Sequence, residues 1–238
     1  MIFNIQKRVK YSLLLILVST LLSACVTTSG PSSGKTPIDQ VPEYGGLDRN
    51  SIPELREGDR VFIDGVTKEF GSRKKASAAF SAIGMKKYRE DDLRTAMQRL
   101  NQAWLLDKDN FEAYWGFSSV ISDKGNHIEA LKWLRKAYTK KSDNIEMNSD
   151  LAFMYSAAGI STSISGQTKI EYFNKSLKLF TDFEKQNTNN PYIYYMWSRA
   201  LATQEKYKES LSKLQAYKSQ GGLQNVADFE RQLRLRIK

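Results

Sequence analysis

The sequence predicts an all-α protein assembled from repeated pairs of helices. Beyond Gly71, apolar residues recur about every 3.6 positions, as they do along one face of an α-helix. Ala96 and Ala103 are matched 34 positions later by Ala130 and Ala137, which is the signature of an internal repeat. No run of alternating β-branched residues is long enough to argue for a sheet. Because one helix pair cannot bury its own apolar face, several pairs are expected to stack.

The first 24 residues have the three regions of a secretory signal peptide. The cations Lys7, Arg8 and Lys10 precede an apolar run at 11–22, and small residues follow it. The apolar run is 12 positions long, whereas a membrane-spanning helix needs about 20 apolar residues. The sequence therefore predicts a cleaved export signal over residues 1–24.

The residues at the end of this signal resemble the bacterial lipoprotein box. They are Leu22, Ser23, Ala24 and Cys25, and Cys25 is the only cysteine in the chain. The resemblance implies that the Cys25 thiol is acylated with lipid such as palmitate, and that this residue becomes the mature N-terminus. Where an Asp would favour the inner membrane, the chain has Val26. The resemblance thus implies a cell-envelope protein anchored to the outer membrane and facing the periplasm.

The composition excludes several classes of function. The chain has 36 Lys and Arg residues against 26 Asp and Glu, a net charge of +10, and 41% of its residues are hydrophobic, which is enough for a core. One Cys and one His provide neither an internal disulfide nor the usual ligands of a zinc site. Three of the cations belong to the signal peptide, so the mature chain has 33 basic and 26 acidic residues. The export signal argues against nucleic acid as a partner.

The rest of the chain divides into a tether, a helix, a repeat array and a final helix. Residues 25–58, rich in Ser, Thr, Gly and Pro, predict a flexible tether, and 59–76 predict a docking helix with one apolar face. The repeats are placed at 77–110, 111–144, 145–190 and 191–224. The third repeat fits only after a 12-residue expansion, which we place in a polar loop from Ile160 to Gln167. Residues 225–238 predict an amphipathic helix that caps the array.

The repeat pattern resembles the tetratricopeptide repeat. With the alanines of the 34-residue repeat at positions 20 and 27 of that pattern, small residues Gly84, Ser118 and Ser198 fall at position 8. Small residues there allow two antiparallel helices to approach closely, and larger residues such as Leu100 fill the space between pairs. The resemblance implies a right-handed α-solenoid of about four tetratricopeptide helix hairpins, closed by the C-terminal capping helix.

The same resemblance implies a partner-binding groove on the first helix of each hairpin. Carried over position by position, the lining residues are Met85, Tyr88, Arg89, Trp115, Ser119, Asp123, Phe153, Tyr192, Tyr195 and Arg199. Aromatic residues and Arg contribute most to binding energy at interfaces. The alternative is that several of these rings belong to the core, because a phase error of one residue exchanges groove and core. Chaperone-binding members grip a terminal carboxylate with Lys and Asn, but Ser81 and Met85 stand at those places here, so this mode is not expected.

No motif in the sequence predicts catalysis or a cofactor. His127 begins a helix, where an exposed or capping role is favoured over a metal ligand or a general base. Glu90, Asp91 and Asp92 also stand at a helix start, which favours stabilisation of its amides over acid–base chemistry. The glycines are dispersed, with no phosphate-binding loop. We expect no metal, no cofactor and no enzymatic activity.

The expected function is that of a lipid-anchored adaptor in the cell envelope. Lipoproteins with tetratricopeptide repeats act as pilotins in secretin or pilus assembly, or as adaptors of cell-wall enzymes, and the sequence leaves both roles open. The alternative is a module that binds peptidoglycan or an anionic lipid surface through its charge. Its basic clusters would be Arg73 with Lys74 and Lys75, Lys86 with Lys87 and Arg89, and the C-terminal tail.

Overall fold

The structure, a computed structural model, describes residues 36–186 and 189–237. Those residues form ten α-helices and no β-strand, which confirms the all-α prediction. The signal peptide, Cys25 and the first part of the tether lie outside the described residues. Within the described ranges, every helix is too short or too polar to cross a membrane. The helices are α1 (Pro53–Phe70), α2 (Arg73–Arg89), α3 (Leu93–Leu106), α4 (Phe111–Asp123), α5 (His127–Lys140), α6 (Ile145–Gly159), α7 (Gly166–Lys185), α8 (Pro191–Thr203), α9 (Tyr207–Ser219) and α10 (Ala227–Arg236).

Polar caps mark where most of these helices begin, and the caps follow the 34-residue repeat. Asp92 caps α3 and Asn126, 34 positions later, caps α5; each side chain accepts a hydrogen bond from a backbone N–H of the first turn. Asn110 and Asn144, also 34 positions apart, cap α4 and α6, and Asn190 caps α8. The periodicity of the alanines is thus repeated in the residues that start the helices.

The turns between α2 and α3, α4 and α5, and α8 and α9 share one backbone feature. In each turn a single residue adopts a positive φ: Asp91 at 63°, Gly125 at 84° and Glu205 at 61°. Gly125 takes this conformation without steric cost, whereas the other two do so against the preference of a side chain. Asp92, next to the first of these turns, accepts a hydrogen bond from Thr95 N–H at 3.0 Å. The acidic cluster at 90–92 therefore includes a helix cap.

Consecutive helices pack as antiparallel pairs, α2 with α3, α4 with α5, α6 with α7 and α8 with α9. Small residues lie at the crossings. In the last pair, Ser198 Oγ donates to the Ser210 carbonyl at 2.8 Å and Ser210 Oγ donates to the Ser198 carbonyl at 2.7 Å. Ala96, Ala103 and Ala137 are fully buried in the first two pairs. The absence of bulky side chains at these places lets the paired helices approach.

Leu100 of α3 lies between two glycines, one on the helix before it and one on the helix after it. A Cβ atom added at Gly84 of α2 would stand 2.9 Å from Leu100 Cγ, and one added at Gly116 of α4 would stand 2.3 Å from Leu100 Cδ2. Leu100 itself is fully buried. The backbones of both neighbouring helices thus approach one side chain, which joins the first pair to the second.

Half of the length added to the third pair lies in one helix, α7, and less of it lies in the loop before that helix. The loop spans Ile160–Ser165, shorter than predicted, because Ser165 caps α7 and accepts a hydrogen bond from Thr168 N–H. Helix α7 has 20 residues, whereas α3 and α5 have 14 each. Buried Ser176, Phe180 and Phe183 recur at helical spacing along α7. This buried face supports the longer helix, which takes up six of the 12 added residues.

The structure corrects the predicted tether and the predicted docking helix. Helix α1 begins at Pro53 and ends at Phe70, so both of its ends lie six residues earlier than in the predicted 59–76. It begins there because Pro53 fits the first turn of a helix, and it ends there because Gly71 adopts a left-handed conformation. The segment before α1 is structured as well. It forms three short 3₁₀ turns, at Ile38–Gln40, Pro42–Gly46 and Arg49–Ser51.

Asn101 of α3 binds this segment, which we call the N-terminal strap (residues 37–51). Its Nδ2 donates to the carbonyls of Asp39 at 3.0 Å and Val41 at 2.9 Å, and its Oδ1 accepts from Tyr44 N–H at 3.4 Å. Asn101 is fully buried, and Tyr44 is buried with its ring 6.3 Å from that of Trp104. One amide side chain therefore satisfies three backbone groups of the strap.

We expect Asn101→Ala to release the strap from α3. Removing the amide leaves three backbone groups without their partner, and each buried hydrogen bond contributes about 1 kcal/mol to stability. Hydrogen exchange followed by mass spectrometry should show faster exchange in residues 37–51 than in the parent protein. Asn174→Ala, on an exposed position of α7, is the matched control. Unchanged exchange in the strap of the Asn101 variant would contradict its role.

The C-terminal helix covers the end of the last pair. Val226 and Leu233 are buried in the same apolar cluster as Leu214 and Tyr217 of α9, and Phe229 packs against it. The helix spans Ala227–Arg236, within the predicted 225–238. It shields an apolar surface that α9 would otherwise expose.

Candidate binding site

The predicted site residues come from α2, α4, α6 and α8, the first helix of each pair. Helix α2 packs on α4 and helix α6 packs on α8. Hydrogen bonds, ring contacts and charge interactions join side chains of all four helices in one place. We call this group the central cluster; it consists of Tyr88, Trp115, Asp123, Asp150, Phe153, Tyr192 and Arg199.

Asp150 of α6 lies in the middle of the central cluster and was missed in the sequence. Its Oδ2 accepts a hydrogen bond from Trp115 Nε1 of α4 at 2.8 Å, and its Oδ1 accepts one from Tyr192 Oη of α8 at 2.6 Å. Both carboxylate oxygens are thus engaged by the two neighbouring helices. Asp150 fixes the orientation of two of the predicted aromatic residues.

The environment of Asp150 opposes its charge. Burial raises the pKa of its carboxyl from 3.8 to about 6, against the lowering effects of the bonds from Tyr192 and Trp115 and of the positive charge of Arg199. Burial, together with the nearby Asp150 charge, raises the pKa of the Tyr192 hydroxyl well above its usual value. Tyr192 therefore stays protonated at neutral pH and donates to Asp150.

Arg199 of α8 reaches from the last pair across α6. Its guanidinium carbon lies 4.2 Å from the centre of the Phe153 ring and 5.7 Å from the centre of the Tyr195 ring. Cation–π contact of this kind holds the guanidinium over an aromatic face. The charge of Arg199 also acts on Tyr88 of α2, which places it within electrostatic range of the opposite end of the cluster.

The far end of the central cluster is polar. Tyr88 of α2 hydrogen-bonds to Asp123 at the end of α4, and burial raises the pKa of the tyrosine hydroxyl, helped by the Asp123 charge. His127 lies nearby, with Nδ1 3.3 Å from Ser122 Oγ. Burial lowers the pKa of His127 and the charge of Arg199 lowers it further, against the raising effect of the Asp123 charge.

Two of the predicted groove residues are core residues. Met85 and Tyr195 are buried, 9% and 8% exposed, and so offer almost no surface to a partner. Met85 belongs to the apolar cluster around Leu100, and the Tyr195 ring lies 5.4 Å from the Tyr217 ring of α9. The prediction that they line a binding surface is wrong, because on these helices their side chains face the paired helices instead.

The other predicted positions retain surface. Asp123 is exposed, and Tyr88, Arg89, Trp115, Ser119, Phe153, Tyr192 and Arg199 are half-buried. Ser119 Oγ donates a hydrogen bond to the Trp115 carbonyl, one turn earlier in the same helix, at 3.1 Å. Arg89 is the last residue of α2.

A signal for Asp150 was present in the sequence. Its neighbours in α6 are mainly apolar or small, and they include the buried residues Met147, Leu151 and Ala152. An aspartate inside such a helix is disfavoured both by propensity and by desolvation, so it needs specific partners. Those partners, Trp115 and Tyr192, are 35 and 42 positions away, and only the folded chain reveals them.

The arrangement offers contact surfaces and donors for binding. In residues 36–186 and 189–237, no group of three His, Cys, Asp or Glu side chains is placed to hold a metal ion. A carboxyl with a raised pKa is one requirement of acid–base chemistry, but both oxygens of Asp150 already accept hydrogen bonds from the protein. Besides the Asp123 carboxylate, the exposed parts of the cluster are aromatic rings and a guanidinium, the groups that dominate binding surfaces.

Comparison with protein-family models finds no match to this chain, and comparison with curated proteins finds none either.

Proposed function

We propose that this chain is a tetratricopeptide-type solenoid. The support comes from four consecutive helix pairs and from caps and turns that recur every 34 residues, with one expansion in the third pair. Each pair buries its apolar face against the next, which is the principle of a stacked repeat array. In such an array the first helices form the concave side, where the central cluster would lie.

We further propose that the protein is a lipid-anchored adaptor of the cell envelope, which binds a partner protein or peptide in this groove. The single observation that carries this proposal is the central cluster itself. Side chains from four separate helices converge there and leave aromatic rings and a guanidinium partly exposed. A surface of this composition suits a peptide, whose backbone and side chains can use both rings and donors. The resemblance to the lipoprotein box supports anchoring at Cys25, and pilotin-like and cell-wall-adaptor roles both fit.

The pairing of charges makes the charge-driven alternative less favoured. Lys87 of the second basic cluster lies 2.8 Å from Glu90, and in the C-terminal tail Arg231 lies 3.0 Å from Asp228 and Arg234 lies 2.6 Å from Glu230. Arg73 donates to the carbonyls at the end of α3. Cations that already have local partners add less to the attraction of an anionic surface.

Site-specific photocrosslinking in whole cells tests the adaptor proposal. A photoreactive phenylalanine analogue at Ser119 or Asp123, both on α4, should crosslink one partner, and the same analogue at exposed Arg135 of α5 should not. Crosslinking should require membrane attachment, so Cys25→Ser should release the protein from the membrane fraction and weaken the crosslink. Equal crosslinking from all three positions, or none from α4, would refute a partner-binding groove.

A further inference from the structure

Arg199 is a half-buried cation without an acidic partner in the described part of the chain. No carboxylate of residues 36–186 or 189–237 lies within 4.0 Å of its guanidinium, although ion pairs of that length are common on this protein. Among the residues that the structure describes, its guanidinium makes one hydrogen bond, a weak one from Nη1 to Met196 Sδ at 3.7 Å. A guanidinium has five N–H donors, so most of this donor capacity is left for another molecule.

The acidic side chains near Arg199 are hydrogen-bonded to other residues. Asp150 lies close enough for the charge of Arg199 to lower the pKa of its carboxyl, but its two oxygens accept from Trp115 and Tyr192. Asp123 hydrogen-bonds to Tyr88. These contacts hold the acids away from the guanidinium, which leaves the position of an ion-pair partner open.

The remaining neighbours fix the guanidinium in place. Phe153 supports one face of it, at 4.2 Å, so the N–H groups at its edge stay available. Burial and the charge of Arg199 lower the pKa of His127, which disfavours a second positive charge beside the guanidinium. The rings of Tyr88 and Trp115 lie on the α2 and α4 side of the site, where a chain bound at Arg199 would continue.

We propose that Arg199 binds the side-chain carboxylate of an Asp or Glu residue within an extended peptide segment of the partner, with apolar partner residues packing beside it on the aromatic rings. This inference rests on the proposed function and specifies the chemistry of the bound segment. A carboxylate matches the fork of a guanidinium in shape and in charge, and such pairs make the stronger hydrogen bonds of proteins. We assign the carboxylate to a side chain within the segment, and a chain terminus is a separate outcome of the test below.

Selection from a random peptide library displayed on phage tests this chemistry. The full-length protein, the variant Arg199→Gln and the matched control Arg135→Gln, on the exposed face of α5, are each immobilised and used to select peptides. The parent protein and the control should both enrich Asp or Glu at one aligned position, next to apolar positions. Arg199→Gln should lose the acidic enrichment and keep the apolar one. Circular dichroism checks that all three proteins are folded.

The outcomes separate the two proposals. Failure to enrich any peptide from the folded parent protein would refute the peptide-binding groove itself. Enrichment of apolar peptides without an acidic position, or of an acidic position that Arg199→Gln retains, would overturn the assignment of Arg199 alone. Enrichment of acidic residues only at the peptide C-terminus would also overturn it, because the anion would then be a chain terminus.

Binding of one selected peptide gives the quantitative test. Fluorescence polarisation should show that Glu→Gln at the acidic position weakens binding to the parent protein by about 10-fold to 100-fold, the effect of losing a charge-assisted bond. The same peptide change should have little effect on Arg199→Gln, since the partner group is already absent. Equal losses in both proteins would place the carboxylate elsewhere.

Discussion

Replacement of Leu100 by Ala is expected to lower the free energy of unfolding by about 3–5 kcal/mol. Leu100 is fully buried between Gly84 and Gly116, which have no side chains that could move into the space it leaves. Removing a buried leucine costs the transfer energy of its atoms and the energy of the remaining cavity, and the cost is largest where neighbours cannot collapse. The contact also joins the first helix pair to the second, so both pairs lose support.

Urea denaturation followed by circular dichroism measures this effect. Leu177→Ala removes the same atoms from α7, where the side chain is 47% exposed, and is expected to cost less than about 1 kcal/mol. A difference of less than about 1 kcal/mol between the two variants would contradict the role of Leu100. Gly116→Ala tests the same contact from the other side, because its Cβ would overlap Leu100 and should also destabilise the protein.

The second large effect is expected in the pH dependence of stability. Burial raises the pKa of Asp150 from 3.8 to about 6, so the folded protein binds this proton more tightly than the unfolded chain. The resulting stabilisation is present below about pH 4 and is lost as the pH rises through about 6. A shift of about two pKa units corresponds to up to about 3 kcal/mol. Asp150→Asn keeps the shape of the side chain and cannot titrate.

Denaturation of the parent protein and of Asp150→Asn between pH 4 and 7.5 isolates this contribution. The parent protein should lose stability relative to the variant as the pH rises, by up to about 3 kcal/mol. Asp109→Asn is the matched control with the opposite sign, because the Lys140 ammonium lowers the pKa of exposed Asp109. In that comparison the relative stability should stay constant between pH 4 and 7.5, and the parent protein should lose it only as the pH falls below about 4. A stability difference for Asp150→Asn that does not change with pH would show that Asp150 titrates normally.

Local sequence signals predicted the helices well and the N-terminal strap poorly. The alanines at 96, 103, 130 and 137 and the caps at Asp92 and Asn126 act within a few residues, so their pattern is visible in the sequence. The strap depends on Asn101, which lies about 60 positions after the carbonyls that it binds. Its Pro and Gly residues looked like a linker because the contacts that order it come from a distant helix.

The sequence predicted several residues of the candidate site but not Asp150, the residue at its centre. Trp115, Tyr192 and Arg199 do converge, since a repeat pattern places equivalent helix positions side by side. The prediction for Met85 and Tyr195 is wrong because neighbouring positions of a helix face different ways, and these two side chains are buried in the core. Asp150 was missed because a charge within an apolar helix becomes meaningful only when its two distant donors are known.

The strap also sets how far the domain can move from the membrane under the proposed anchoring. A tether that ran from Cys25 to residue 58 would put 33 residues between the lipid and the folded domain. Because the strap begins at residue 37, only about 12 residues separate the lipid from the folded domain. Twelve residues span at most about 40 Å, even when fully extended. The strap is bound to α3, on the second helix of the first pair, whereas the central cluster lies on the first helices. The strap therefore stays within this short radius of the lipid surface, and the central cluster can reach further only by the extent of the folded domain between them.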